Sequence, residues 1–296
     1  MKILLAVHPL RSLNGVFFYV YELAKELGRL EHDVAITCKT IACDPLDRLK
    51  QLPNVTVRLF DNLEDEQFDI IHLNQPKATL FLLDKYPETP AVSTIHSTVF
   101  DADGPCNDGR IYKHICIRED VQDYYQFLPK MNFQQFTVIP NGIDFEKFKP
   151  DPSKMKTDDR YYLFVGGMGT LRRRAIKDFA IKAKQDNAYL RVVGNFLSHL
   201  GNNHGNVYCY PFTWDIEKHV QGCIESAGIF MGRTTLESWA CGKPSWIYNI
   251  SKSGNVISSE RVVTPDNVED YNIKNVAGKL LRLYLEAIME KGSTHA

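Results

Sequence analysis

The sequence carries no excess charge of either sign: 35 Lys and Arg stand against 36 Asp and Glu, for a net charge of -1. No global field draws the chain to nucleic acid or to an anionic membrane surface, and only local patches remain open. Its seven cysteines are odd in number and include no CxxC pair, which argues against a disulfide framework or a structural zinc site. No stretch comes near the roughly 18 apolar residues of a membrane span. The opening MKILLAVHPLRS has only ILLAV as its apolar run, shorter than the roughly 7–15 residues of a secretory core, so it reads as a first strand. The expectation is a cytoplasmic protein without stable membrane insertion. No Walker A sequence occurs, which counts against a P-loop kinase or ATPase. No short-period repeat or low-complexity tract is present.

What the sequence does have is material for a core. Over 296 residues, 44% are hydrophobic and 24% charged, values of a globular chain with room for two domains of ordinary size. Short runs rich in Val, Ile, Leu and Phe at 3–7, 34–38, 55–60, 70–73, 91–95, 115–117 and 137–139 read as strands buried on both faces. A helical pattern at 16–27 stops at Gly28. Between Pro140 and Asp159 the pattern gives way to the polar, Pro-containing KFKPDPSKMKTDD. It then restarts with strands at 162–165, 190–193, 207–210, 229–231 and 246–248, and helices at 171–184, 214–223 and 234–241. A last helix spans 273–291 and ends at Gly292. This alternation predicts an α/β protein of two doubly wound domains, 1–150 and 151–296, with the last helix a candidate to pack back on the first domain. Ligands of such sheets sit beyond the carboxyl ends of the strands, so two domains facing each other would place a site in the cleft between them.

Three loops stand out as anion sites. In Phe164-Val165-Gly166-Gly167-Met168-Gly169-Thr170-Leu171-Arg172-Arg173-Arg174, a strand enters a glycine-rich loop and then a helix, presenting free backbone N–H groups. Three arginines in a first helical turn oppose the helix dipole unless an oxyanion lies among them. The alternative is that they radiate into solvent. Arg172 stands where the dinucleotide fingerprint would require a third glycine, so this is not that motif. The second loop, Met231-Gly232-Arg233-Thr234-Thr235-Leu236-Glu237, leads into Gly242-Lys243-Pro244. Here Thr234-x-x-Glu237 also reads as a capping box, which would explain both residues structurally. The third, Pro140-Asn141-Gly142, is ordinary turn chemistry.

Taken together and in this order, the segments resemble the GT-B glycosyltransferases, family 4 (group 1) in particular. Ile139–Asp144 with Phe148 and Pro150 is similar to that family's interdomain signature. Phe164–Gly166 with Arg172–Arg174 and Ala183 resembles its diphosphate loop, and Leu236-Glu237-x-x-Ala240-x-Gly242-x-Pro244 its donor-binding helix. Met1–Leu4, Asn14-Gly15, His32–Val34, Phe68–His72 and Ser93–His96 match its first half.

The resemblance implies two Rossmann-like doubly wound domains facing a cleft and the transfer of a hexose from a UDP- or GDP-sugar to an acceptor hydroxyl, with retention. On that basis Glu237 would hold the ribose hydroxyls, and the backbone of Thr234 and Thr235, with Gly232 and Arg233, would meet the diphosphate. Arg172 and Arg173 would assist the leaving group, with Arg174 and Gly167 beside them. Gly15 and Gly166 would let backbone approach the donor, His96 would sit near the transferred sugar, and Pro211 and Phe212 would flank the base. A core role remains the alternative for His96 and is the reading for His72.

Two positions depart from the family pattern. Gly166-Gly167 stands where Gly-Arg is usual, and arginine where a lysine is usual. The first of two paired glutamates falls on Ile229, which leaves the sugar and the stereochemistry open.

The chemistry is consistent with this reading. Breaking a sugar–phosphate bond builds charge on a nucleoside diphosphate, which helix N-termini and arginines can stabilise. No cofactor and no metal is expected beyond the donor itself; the metal-dependent alternative would use Asp101-x-Asp103. A nucleotide-sugar epimerase or phosphorylase and a non-catalytic nucleotide-sugar binder are the competing readings. The acceptor is left open among a glycan, a protein glycan and a modified DNA base, and so is the oligomeric state.

Overall fold

The computed structural model describes residues 1–10, 13–63, 66–98, 103–127, 135–154, 159–166, 171–194, 205–251 and 253–293. Two compact units emerge, Met1–Gly142 with Asp270–Ala296, and Ile143–Glu269. The division thus falls at 142/143 rather than 150/151. Ile143 and Phe148 are buried just after it, whereas Lys149, Pro150 and residues 152–154 of the polar stretch are exposed.

The first unit is built on strands β1 (Lys2–Ala6), β2 (Asp33–Cys38), β3 (Val55–Leu59), β4 (Ile70–Asn74), β5 (Ala91–Ile95), β6 (Ile111–Cys116) and β7 (Phe136–Val138). They form one parallel sheet in the order β3-β2-β1-β4-β5-β6-β7. The central strands β1, β4 and β5 are buried along nearly their whole length, as expected of parallel strands covered on both faces; β4 and β5 carry the buried polar residues His72, Asn74, Ser93 and Thr94 among their apolar ones. Helix α1 (Gly15–Arg29) follows β1, and its start is fixed by Asn14, whose Oδ1 accepts from the Phe17 N–H at 3.0 Å. Gly28 does not end this helix. The left-handed residue is Glu31 (φ 62°), with His32 N–H bonding to Leu27 C=O and Glu31 N–H to Gly28 C=O. Gly28 is needed for a different reason: a Cβ there would lie 2.2 Å from the Pro53 carbonyl oxygen.

Helices α2 (Cys43–Leu49), α3 (Pro76–Thr79), α4 (Leu82–Lys85) and α5 (Glu119–Tyr125) are short connections that the periodicity does not reveal. One or two turns offer too few apolar repeats to register.

The second unit carries β8 (Tyr161–Val165), α6 (Arg173–Gln185), β9 (Tyr189–Val193), β10 (Val207–Tyr210), α7 (Ile216–Gly222), β11 (Ser226–Ile229), α8 (Arg233–Ala240), β12 (Ser245–Ile250) and β13 (Val256–Val262). Its sheet runs β10-β9-β8-β11-β12-β13, parallel except for the antiparallel β13. β13 is absent from the sequence pattern because its VISSERV is polar and largely exposed, an edge strand blunted by charge. The core gathers Phe164, Phe179, Leu190, Val192 and Tyr248 between sheet and helix. Helix α8 ends on Gly242 (φ 68°), whose N–H bonds to Trp239 C=O while Lys243 N–H reaches Ser238 C=O.

Finally, α9 (Ile273–Ser293) belongs to the first unit, where it packs on α1, β4 and β5. Gly292 lies inside it rather than ending it. Among the described residues no helix is long and apolar enough to cross a membrane, and all seven cysteines are free.

Candidate functional site

Because each sheet is parallel through its centre, the loops that leave the strand carboxyl ends share one edge. Where the chain, having laid strands outward on one side, returns to begin on the other, the two neighbouring loops diverge and open a crevice. In the second unit that point lies between β8 and β11, paired through Ser226 with Leu163 and Ala227 with Phe164.

The loop leaving β8 begins at Gly166, whose φ of 138° favours glycine and whose N–H is tied to Val193 C=O at 2.9 Å. A Cβ on Gly166 would lie 3.1 Å from Arg172 Nε. Arg172 precedes α6 and is half-buried, whereas Arg173 and Arg174 are exposed. Burial lowers the Arg172 pKa from its ordinary value. The three arginines are therefore not equivalent: one guanidinium is held, partly desolvated, over the glycine at the strand end. Gly167 and Gly169 lie outside the described residues.

The loop leaving β11 passes through Phe230, a non-glycine residue at φ 55°, a conformation that costs on the order of 1–3 kcal/mol and collects at functional sites. Helix α8 then starts with Gly232 as its N-cap, and no side chain caps it. The capping-box reading of Thr234 and Glu237 is corrected accordingly: the helix begins two residues too early for Thr234 to cap it. Glu237 instead pairs with Arg233, Oε1 to Nε 2.6 Å, with both side chains largely buried (5% and 15% exposed).

Thr235 is fully buried, and its N–H donates back to Gly232 C=O at 3.1 Å. The N–H groups of Arg233 and Thr234 belong to the first turn, where no intrahelical acceptor exists. Pro211 and Phe212 follow β10 at the same edge. Phe212 meets the Trp214 ring edge-on at 5.9 Å, and the Trp214 carbonyl is held by Lys147 Nζ at 2.8 Å.

In the first unit the corresponding point lies between β1 and β4. The loop leaving β1 leads to Gly15, exposed at the start of α1, where an added methyl group would meet nothing within 4 Å. β4 ends in Asn74 and β5 runs into His96. His96 is half-buried; its Nε2 lies 3.1 Å from Asn74 Oδ1 and its ring meets Tyr19 edge-on at 4.9 Å. Desolvation lowers the His96 pKa to about 3, so the ring is neutral at physiological pH.

Behind it, His72 is fully buried between Thr94 (Nε2 to Oγ1, 2.6 Å) and the α9 residue Tyr284 (Nδ1 to Oη, 2.5 Å). Desolvation takes His72 to about 3 as well.

Sequence reasoning misses Asn74, Tyr19, Thr94 and Tyr284. The signal it could have used is a polar residue closing an otherwise apolar strand, as in Ile70–Asn74. Of the metal alternative, Asp103 is described: it is buried, and burial raises its pKa against a bond from Gln75. Asp101 lies outside the described residues, among which no group of three or more His, Cys, Asp or Glu side chains is placed to hold a metal.

Residues 13–147 match the model of glycosyltransferase family 4. The match covers most of the first unit, which is similar to that family over this segment. The fold of the whole chain is GT-B.

Its fold is similar over nearly the whole length to solved members of that architecture. HepE of Anabaena, in complex with UDP-glucose, shares 16% identity over 99% of both chains with a TM-score of 0.66. A glycosyltransferase from Rickettsia africae shares 13% over 97% of this chain and 98% of that one, at 0.70. AviGT4, a glycosyltransferase involved in avilamycin A biosynthesis, shares 13% over 98% of each, at 0.65. No curated protein matches by sequence. The family 4 match includes Gly15, Asn74 and His96 and stops before Gly166, so the second unit's assignments rest on its own geometry.

Proposed function

We propose that this protein is a glycosyltransferase that moves a hexose from a UDP-sugar to an acceptor hydroxyl, and that the crevice between β8 and β11 holds the diphosphate of the donor. The observation that carries this reading is Arg172, a partly desolvated cation lying over the positive-φ Gly166 at the β8 carboxyl end. The first turn of α8 adds backbone N–H groups from the neighbouring loop. Glu237 is proposed to take the ribose hydroxyls, and Phe212 to flank the base.

In the reaction the bond from C1 to the β-phosphate oxygen breaks, the acceptor oxygen bonds to C1, and the acceptor proton passes to the departing diphosphate or to solvent. Charge grows on the leaving diphosphate, so Arg172 should act on turnover more than on ground-state binding. Retention is proposed on the strength of the family match alone. Uridine is proposed as the base because HepE, of like fold, was solved with UDP-glucose. Metal independence is proposed because backbone N–H groups and arginine can supply the positive charge.

Seven free cysteines agree with a reducing compartment, and the cytoplasm is the proposed location. Balanced charge gives DNA phosphates no special attraction, so a glycan hydroxyl is the proposed acceptor. The test is to offer UDP- and GDP-hexoses in EDTA with a panel of oligosaccharides and to measure nucleoside diphosphate release together with a glycosylated product. Release that does not depend on acceptor favours an epimerase or phosphorylase, and tight binding without release favours a non-catalytic binder.

A further inference from the structure

Asn74 closes β4 and is fully buried. Its Oδ1 lies 3.1 Å from His96 Nε2, while its Nδ2 is buried and makes no hydrogen bond among the described residues. An unmet buried donor destabilises a protein, and an apolar side chain of similar size would avoid the cost. What Asn74 offers its neighbour is its other half, the carbonyl.

That carbonyl can only accept, so a hydrogen bond between the two requires N–H at His96 Nε2. A neutral imidazole has one N–H and one lone pair, and the hydrogen bond made by one nitrogen decides the role of the other. The His96 ring is also braced by the edge of Tyr19, whose Oη lies 3.4 Å from Thr94 Oγ1. The ring is thus fixed by one neighbour in position and by the other in protonation.

We propose that Asn74 is a positioning residue that holds His96 in the Nε2–H tautomer, leaving Nδ1 as the ring's acceptor for a substrate hydroxyl. This rests on the reading that His96 works at the sugar substrate. A sugar hydroxyl is the chemistry that suits such a group: a neutral acceptor offers nothing to a phosphate, whereas a hydroxyl donates to it.

The test has two parts on the full chain. First, 15N-histidine spectra at pH 8 read the tautomer directly. Wild type and Asn74→Asp, which keeps an accepting oxygen, should show Nε2–H for His96, whereas Asn74→Leu should show a mixture or Nδ1–H. An Nδ1–H signal in wild type overturns the proposal whatever the enzyme's activity.

Second, kcat and donor KM are compared for the same variants, using nucleoside diphosphate release from the accepted UDP-hexose. Asn74→Leu should lose about tenfold or more in kcat with an unchanged donor KM and a melting temperature equal to or above wild type. Asn74→Asp should recover most of the rate. If Asn74→Leu keeps full kcat, or if its loss tracks a fall in melting temperature that Asn74→Asp shares, the residue is structural and the proposal fails. Absence of transfer by wild type on every donor overturns the proposed function instead, while the spectra still decide the tautomer.

Discussion

Arg233 Nε and Glu237 Oε1 stand 2.6 Å apart, one helical turn from each other on α8 and largely out of solvent. The pair makes the acid and the cation of the donor helix a unit. On the proposed assignment, a carboxylate held in this way would meet the ribose hydroxyls already oriented, with the guanidinium one turn back at the helix start.

Glu237→Gln should therefore do two things. It removes the charge of a buried pair, which should lower stability by about 1–3 kcal/mol in urea unfolding. It should also weaken UDP binding by roughly tenfold, or about 1.4 kcal/mol. Loss of stability with unchanged UDP affinity would make the pair a structural brace only.

Gly166 should be as sensitive as the arginine above it. Alanine there must adopt φ 138° and place its methyl 3.1 Å from Arg172 Nε. Gly166→Ala is expected to displace Arg172 and reduce the transfer rate by about tenfold or more, with a further stability cost of about 1 kcal/mol or more from backbone strain. A rate for Gly166→Ala equal to wild type would detach the Arg172 position from catalysis.

Acid should destabilise the first unit through its buried imidazoles. His72 has its folded pKa depressed to about 3, by desolvation first and by His96 second. The unfolded chain, near the ordinary value of about 6.5, binds more protons between those two values. Stability thus rises with pH across that window and is lost as pH falls from about 6.5 towards 3, by up to about 1.4 kcal/mol per pH unit for one such group. His114, lowered to about 4 by desolvation, adds to the same slope. Urea unfolding at pH 7 and pH 4.5 should show a shallower acid loss in His72→Gln than in wild type. Equal slopes would mean that His72 titrates normally.

The strand core of both sheets is legible because parallel strands buried on two faces leave largely apolar runs, as in residues 3–6 of the first sheet and Tyr161–Val165 of the second. The turn at the end of β8 is legible because its positive φ favours the glycine found there, Gly166. Short helices and the polar edge strand Val256–Val262 are not, since they bury too little to leave a pattern. Helix ends mislead where glycine serves packing, as at Gly28, and a charged residue takes the left-handed turn at Glu31. The Thr234-x-x-Glu237 pattern fits a capping box, but nothing in that spacing discloses that Arg233 claims Glu237. Long-range partners such as Tyr284 for His72 have no local signature at all.

The claim that β8 and β11 cradle the donor diphosphate is tested most directly by calorimetric titration of UDP and UDP-glucose in EDTA. Wild type, Arg172→Gln, Arg173→Gln and Arg174→Gln are compared. Wild type should bind without added metal, Arg172→Gln should bind at least about tenfold more weakly, and the two exposed arginines should matter by about twofold or less. Binding that appears only with Mn²⁺, or an Arg172→Gln affinity equal to wild type in a folded protein, would contradict it.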